Sequence, residues 1–213
     1  MEFSSDCRRC PRLARHLDGV RASHPDYHAL PVAPFGVAEP RLLIVGLAPG
    51  MHGANRTGRP FTGDFAGILL YETLHRCGFA SRLASVHAAD GLRLIDCRIT
   101  NAVKCLPPAN KPLPAEVRTC NGYLSAELDA LSDGAAILAL GLVAHDAILM
   151  ALGLKRSQHR FAHGARHALA RSLTLYDSYH CSRYNTQTRR LTAPMFRKVV
   201  DAIRADLGSP RNR

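Results

Sequence analysis

The chain has 213 residues, of which 46% are hydrophobic, so it can bury a sizeable core and is most simply one domain spanning 1–213. Its 28 Lys and Arg against 17 Asp and Glu give a net charge of +11, which favours a polyanionic partner, nucleic acid above all. No uninterrupted apolar stretch approaches the roughly 20 residues of a membrane helix. The N-terminal residues lack the apolar core of a signal peptide, so we expect a cytoplasmic protein without membrane contact.

The N-terminal residues 1–30 are predicted to form an appendage with a short helix near Pro11 to Leu17, followed by a proline-rich connection. Beyond it, apolar runs and helix-start signals predict strands that alternate with helices. The strands are predicted at 41–47, 98–103, 135–140 and 172–176, and the helices at 64–77, 114–131, 141–152 and 193–207. Such alternation predicts an α/β fold with a parallel sheet covered on both faces. The basic, histidine-rich segment 153–172 gives no assignment.

The segment from Gly46 to Asp64 differs from an ordinary surface loop. It holds five glycines, two prolines and two arginines in nineteen positions, directly after a buried apolar run. Glycines let the backbone approach a ligand closely, and arginines suit a phosphate. Phe61 offers a flat face on which a base can stack. Asp64 is predicted to open a helix, which would hold its carboxylate at a fixed place beside that face.

Two further loops follow predicted strands and carry polar side chains. Asn101 lies at the end of the second strand, and His180 follows the fourth. An amide both donates and accepts hydrogen bonds, and a histidine can donate to a carbonyl oxygen, so the pair suits the edge of a base such as uracil. Taken singly, such residues are more often turn, cap or core residues. Because ligands of parallel sheets bind at the carboxyl ends of the strands, we expect these loops to form one site.

The seven cysteines require an explanation other than a disulfide framework, which is unexpected in a cytoplasmic protein. Cys7 and Cys10 form a Cys-x-x-Cys pair, and Cys105 and Cys120 flank a proline-rich loop. Four thiolates brought together by the fold could bind zinc or a [4Fe–4S] cluster, and the spacing alone does not choose between them. Free buried thiols are the simpler alternative, and we favour it for the remaining three, Cys77, Cys97 and Cys181.

Three segments together resemble the signature regions of family 5 uracil-DNA glycosylases: GLAPGMHGANRTGRPFTGD, TNAVKCLPPANKPLP and SYHCSRYNTQTRRLT. The cysteines resemble those of the iron–sulfur uracil-DNA glycosylases of families 4 and 5. The resemblance runs from Cys7 to the final helix, and it implies a three-layer α/β/α fold around a four-stranded parallel sheet. It also implies a [4Fe–4S] cluster that ties residues 1–30 to the domain. Its ligands would be Cys7, Cys10, Cys105 and Cys120.

The resemblance also implies roles for individual residues. Family 4 has a glutamate where this chain has Leu47, so the resemblance favours family 5 and leaves Asp64 as the main acidic candidate. Cys181 stands where many relatives have proline. The implied catalytic residues are Asp64 and His180. The candidate substrate-binding residues are Phe61, Asn101, Gly46 and Ala48, and the candidate DNA-binding residues are Arg56, Arg59, Ser182, Arg183, Tyr184 and Asn185.

We therefore predict a DNA glycosylase that initiates base excision repair. It would hydrolyse the N-glycosidic bond of uracil, and of other deaminated bases, in double-stranded DNA, acting as a monomer on a base extruded from the stack. Asp64 would stabilise the sugar cation or position the attacking water, and Arg183 or Tyr184 would fill the gap left by the base.

Three alternatives compete with this prediction: a non-catalytic iron–sulfur DNA-binding protein, a family 4 enzyme restricted to uracil, and a nucleotide-binding enzyme. The glycine-rich loop lacks the phosphate-binding and dinucleotide-binding fingerprints that the last of these requires.

Overall fold

The computed structural model describes residues 2–208, which form a sheet with helices on both of its faces. The strands are β1 (Phe35–Gly36), β2 (Leu42–Gly46), β3 (Cys97–Asn101), β4 (Ala136–Leu140), β5 (Arg166–Ala168) and β6 (Thr174–Ser178). The helices are α1 (Pro11–Ser23), α2 (Ala54–Thr57), α3 (Phe65–Arg76), α4 (Pro114–Asp129), α5 (Leu142–Ala151), α6 (Arg183–Gln187) and α7 (Ala193–Leu207). The predicted α/β class is confirmed. Of the predicted domain 1–213, residue 1 and residues 209–213 lie outside the described residues.

The sheet has six strands in the order β1-β3-β2-β4-β6-β5. Its four central strands are parallel, as expected. The expected strand number of four is wrong, because β1 and β5 add short antiparallel edges to β3 and β6. These edge strands have only two and three residues and no apolar run, so period-based analysis of the sequence misses them. β5 lies in the segment 153–172 that gave no assignment.

Two hydrophobic clusters lie on opposite faces of the sheet because successive side chains of a strand alternate between faces. In β2, Leu43 and Val45 belong to the cluster that also contains side chains of α1, α4 and α5. Leu42 and Ile44 belong to the other cluster, which contains side chains of α3 and α7. This is the expected three-layer arrangement. No helix within residues 2–208 is long and apolar enough to cross a membrane.

The carboxyl ends of the four parallel strands meet at one edge of the sheet. Gly46 of β2 is paired with Asn101 of β3, and Leu140 of β4 with Ser178 of β6. The glycine-rich loop and the loop that carries His180 leave the sheet at this edge. The topology therefore brings the three predicted site segments together.

Candidate active site

Asp64 is held at the start of α3 by its role as the helix cap. Its Oδ1 accepts a hydrogen bond from the backbone N–H of Gly67 at 2.9 Å. A Cβ atom added to Gly53 would lie 2.3 Å from Oδ2, so glycine at position 53 makes room for the carboxylate. Burial raises the pKa of Asp64, and the backbone hydrogen bonds from Gly67 and Ala66 partly oppose that shift. The carboxylate is thus positioned through one oxygen, with Oδ2 directed to the glycine-rich loop.

Phe61 and Asn101 lie together against Gly46. A Cβ atom on Gly46 would come within 2.4 Å of Asn101 Oδ1 and 2.7 Å of the Phe61 ring, so the close approach needs a glycine. Asn101 is only 3% exposed, and its Oδ1 has no hydrogen-bond partner within the described part of the chain. A buried acceptor without a partner is costly, so this amide is suited to a ligand. Ala48 is half-buried and packs against the cluster on the α1 side of the sheet.

His180 completes the group of aromatic and polar side chains. Its ring stacks on Phe61 with a centroid separation of 5.7 Å and an interplanar angle of 30°. Burial lowers the pKa of His180 to about 4, so the ring is neutral at pH 7 and has one N–H to donate. Next to it, burial and then the charge of Asp64 raise the pKa of Cys181 to about 12. The loop after β6 therefore lies beside Asp64 as well as beside Phe61.

Comparisons with known proteins show the family of the chain. The uracil DNA glycosylase superfamily matches residues 33–204. A type-5 uracil-DNA glycosylase of Thermus thermophilus is 47% identical over 91% of this chain and 90% of its own length. The chain belongs to the type-5 uracil-DNA glycosylases. A type-5 enzyme of Mycobacterium bovis is 46% identical over 90% of this chain and 74% of its own length. A type-4 enzyme of Thermotoga maritima is more distant, at 36% identity over 68% of this chain and 63% of its own length.

Three of the DNA contacts expected for a type-5 uracil-DNA glycosylase have other partners in the structure. The guanidinium of Arg59 is buried and forms an ion pair with Asp90 at 2.7 Å. It therefore does not face solvent, where a DNA contact would have to lie. Ser182 Oγ caps α6 by accepting from the N–H of Asn185 at 3.4 Å. The side-chain amide of Asn185 donates to the carbonyl oxygen of His180 at 2.8 Å. These last two residues thus also shape the His180 loop.

The other three expected DNA contacts are exposed near Asp64. Arg56 lies in α2 and donates from Nη2 to the carbonyl oxygen of Gly63 at 3.3 Å. The Arg183 guanidinium lies 5.1 Å from the centre of the Phe65 ring, and Phe65 is the residue that directly follows Asp64. Tyr184 is 70% exposed at the start of α6. Their positions leave these side chains accessible to a ligand on the outer surface of the site.

The four cysteines expected to bind the cluster line one narrow cavity, together with Lys104 and Tyr123. Burial, and then the neighbouring thiols, raise the pKa of Cys105 to about 12. The backbone N–H of Lys104 donates to Cys120 Sγ at 3.3 Å. Four converging sulfur ligands fit a metal centre, because a cation would offset the repulsion among their thiolates. Cys77, by contrast, is not among the residues that line this cavity. Its Sγ donates a hydrogen bond to Asp201 Oδ1 at 3.2 Å.

Sequence reasoning missed the role of Gly67 in this family member. Phe61 has a φ of +53°, a left-handed conformation that is strained for a bulky residue. In this conformation its carbonyl oxygen lies only 1.9 Å from the point where a Cβ of residue 67 would be. Glycine is unfavourable inside a helix, so its presence in the first turn of α3 was the available signal.

Proposed function

We propose that this protein hydrolyses the bond between uracil and deoxyribose in DNA. The proposal is carried by the buried Oδ1 of Asn101, which lies beside the Phe61 ring and has no hydrogen-bond partner among residues 2–208. Uracil presents an N–H donor between two carbonyl oxygens, so its edge can satisfy this amide while its face contacts an aromatic ring. The names of the type-5 relatives support the same substrate.

The target base has to leave the double helix to reach Asn101, because the amide is buried behind the glycine-rich loop. We propose that Tyr184 or Arg183 enters the space that the base vacates, since both are exposed at the beginning of α6. Arg56 would bind a phosphate of the same strand. Extrusion from a duplex would thus be driven by contacts on the outer surface of the site.

The reaction breaks the bond between C1′ of the sugar and N1 of uracil. The bonding electron pair leaves with the base, and the oxygen of a water molecule adds to C1′. Neutral His180 would donate a hydrogen bond to a uracil carbonyl oxygen, where negative charge grows. Asp64 would stabilise the positive charge on the sugar or hold the attacking water. The water loses one proton as its oxygen bonds to C1′, and the departing uracil anion takes up one proton, so the products are uracil and an abasic site.

We further propose that the protein accepts other deaminated bases. Leu47 stands where family 4 has a glutamate, so selectivity would depend on Asn101 and on how readily each base departs. Purified protein can be assayed on uracil and hypoxanthine duplexes side by side. Release of both bases is the expected result, and release of uracil alone would contradict this part.

The main test uses purified protein, loaded with its cofactor, on a uracil-containing duplex, followed by alkaline cleavage of abasic sites. We expect a strand break at uracil and none in a matched duplex with thymine at that position. Binding to the uracil duplex without base release would favour the non-catalytic DNA-binding alternative. Strand breaks in the thymine duplex would contradict the proposed selectivity.

We propose that Cys7, Cys10, Cys105 and Cys120 bind a [4Fe–4S] cluster with a structural role. A four-cysteine site leaves no open coordination position, so the cluster would fasten residues 1–30 and the proline-rich loop to the sheet. Cys120→Ser should lower bound iron and sulfide, and the thermal unfolding midpoint should fall. Cys77→Ser is the matched control. It should keep the bound iron and sulfide and should leave the thermal unfolding midpoint unchanged. Bound zinc without sulfide in the unmodified protein would contradict the cluster assignment.

We also propose that the protein is a single domain, and that it acts as a cytoplasmic monomer on double-stranded DNA. The net charge of +11 supports this partner.

A further inference from the structure

Three large apolar side chains are exposed on the segments near Asp64. Ile68 is 61% exposed, Leu83 52% and Val86 64%. An open cavity of about 200 Å³ is lined by Asp64, Ile68 and Leu83, among others. The carbonyl oxygen of Val86 lies 3.4 Å from the point where a Cβ of Gly63 would be, which places this residue at the same loop. We call Ile68, Leu83 and Val86 the apolar rim.

Hydrogen bonds from the Arg59 guanidinium hold the segment that carries Leu83 and Val86. The Arg59 guanidinium donates to Ser85 Oγ at 3.0 Å and to Asp90 Oδ1 at 2.7 Å, and also to the carbonyl oxygen of Ala88. Asp90 Oδ2 in turn accepts from the N–H of Val86 at 2.8 Å. A buried ion pair thus holds a projecting loop whose tips are apolar. A loop fixed in this way loses little conformational entropy when it meets a partner.

Hydrogen bonds connect the same segment to the residues that directly precede Asp64. The N–H of Gly63 donates to the carbonyl oxygen of Ser85 at 3.2 Å, and the hydroxyls of Thr62 and Ser85 lie 2.7 Å apart. Arg183 also lies next to the site, over the ring of Phe65. Asp64 is therefore close to Arg183, which was expected from the sequence to contact DNA, and to the apolar rim, which was not.

We propose that the apolar rim packs against the deoxyribose and base edges of the DNA strand that carries the extruded nucleotide. This inference rests on the proposed function. Apolar side chains inserted from the minor groove stabilise unstacked DNA, and sugar C–H groups offer them an apolar surface. The rim is continuous with the cavity of Asp64, and cationic Arg56 is bonded to Gly63 next to it. These two features favour the substrate strand over a protein partner.

The test compares Leu83→Ala, Val86→Ala and the double variant with the unmodified protein. Met150→Ala is the matched control, because Met150 is 43% exposed in the last turn of α5, which begins at the site edge of the sheet and runs away from it. Single-turnover excision is measured on uracil in a duplex and in a single strand. Thermal unfolding verifies that each variant is folded.

The double variant should excise uracil from the duplex about tenfold more slowly, since two half-exposed apolar side chains would lose their burial against DNA. Excision from the single strand should fall by a similar factor, because that substrate offers the same sugars and base edges to the rim. Loss on the duplex alone would place the contact on the complementary strand and would overturn the proposal, as would loss on neither substrate. Failure of the unmodified protein to release uracil would refute the proposed function instead, and duplex affinity would then test the rim by itself.

Discussion

Replacement of Asp64 by asparagine or alanine separates its chemistry from its structural role. Both variants remove the charge that the reaction needs, and loss of one well-placed group at such a site reduces the rate by about 10²–10³. The cap differs between them. Asparagine can still accept from the Gly67 N–H, whereas alanine loses this 2.9 Å hydrogen bond.

The loss of the cap should make Asp64→Ala about 1 kcal/mol less stable than Asp64→Asn, since both variants lack the charge. In a chain of this length, that lowers the thermal unfolding midpoint by about 2–4 °C. Asp64→Asn should unfold no earlier than the unmodified protein. Burial raises the pKa of Asp64, so the folded state binds its proton more tightly than the unfolded state does. The buried charge therefore weakens the fold at neutral pH, and asparagine removes it.

The assays are single-turnover excision from pH 4 to pH 8, and thermal unfolding at pH 7. The rate of the unmodified protein should rise with pH as Asp64 loses its proton, with a midpoint above the usual pKa of an aspartate, about 4. His180 is already neutral over most of this range. Asp64→Asn should lack the rise. Excision by Asp64→Asn within a few-fold of normal, or equal unfolding midpoints for the two variants, would refute the reasoning.

Two further predictions concern residues that position the site. Gly67→Ala should reduce excision by more than tenfold, because its Cβ would collide with the Phe61 carbonyl; Gly19→Ala, which has open space around it in α1, should not, and normal activity of Gly67→Ala would contradict this role. Asn185→Ala should slow excision about five- to tenfold without a change in duplex affinity, because the His180 carbonyl loses its 2.8 Å hydrogen bond. A weaker affinity with an unchanged single-turnover rate would instead favour a direct DNA contact.

The sequence predicts the central sheet and the strand-end loops well. The apolar runs of β2 and β4 are long enough to be recognised as buried strands. Once these strands are parallel, topology alone places Gly46 beside Asn101. The helix cap at Asp64 is likewise a local signal, since aspartate is a preferred residue at this position.

Side-chain partners were harder to predict, because they depend on distant parts of the chain. An arginine in a glycine-rich loop looks the same in sequence whether it faces a phosphate or a carboxylate. Arg59 turned out to bind Asp90, which lies 31 residues further along the chain. Asn185 was expected to contact DNA, yet the turn into α6 directs its amide back to the His180 carbonyl. The strained φ of Phe61 has no signature in the residue itself.

The first turn of α3 serves two purposes with one piece of backbone. Its amide at Gly67 holds the acid, and the missing side chain of the same residue admits the carbonyl behind the aromatic ring. If this helix shifts along its axis, Asp64 and Phe61 shift with it. Thermal motion of the helix would therefore move the reaction centre without changing the distance between the Asp64 carboxylate and the Phe61 ring.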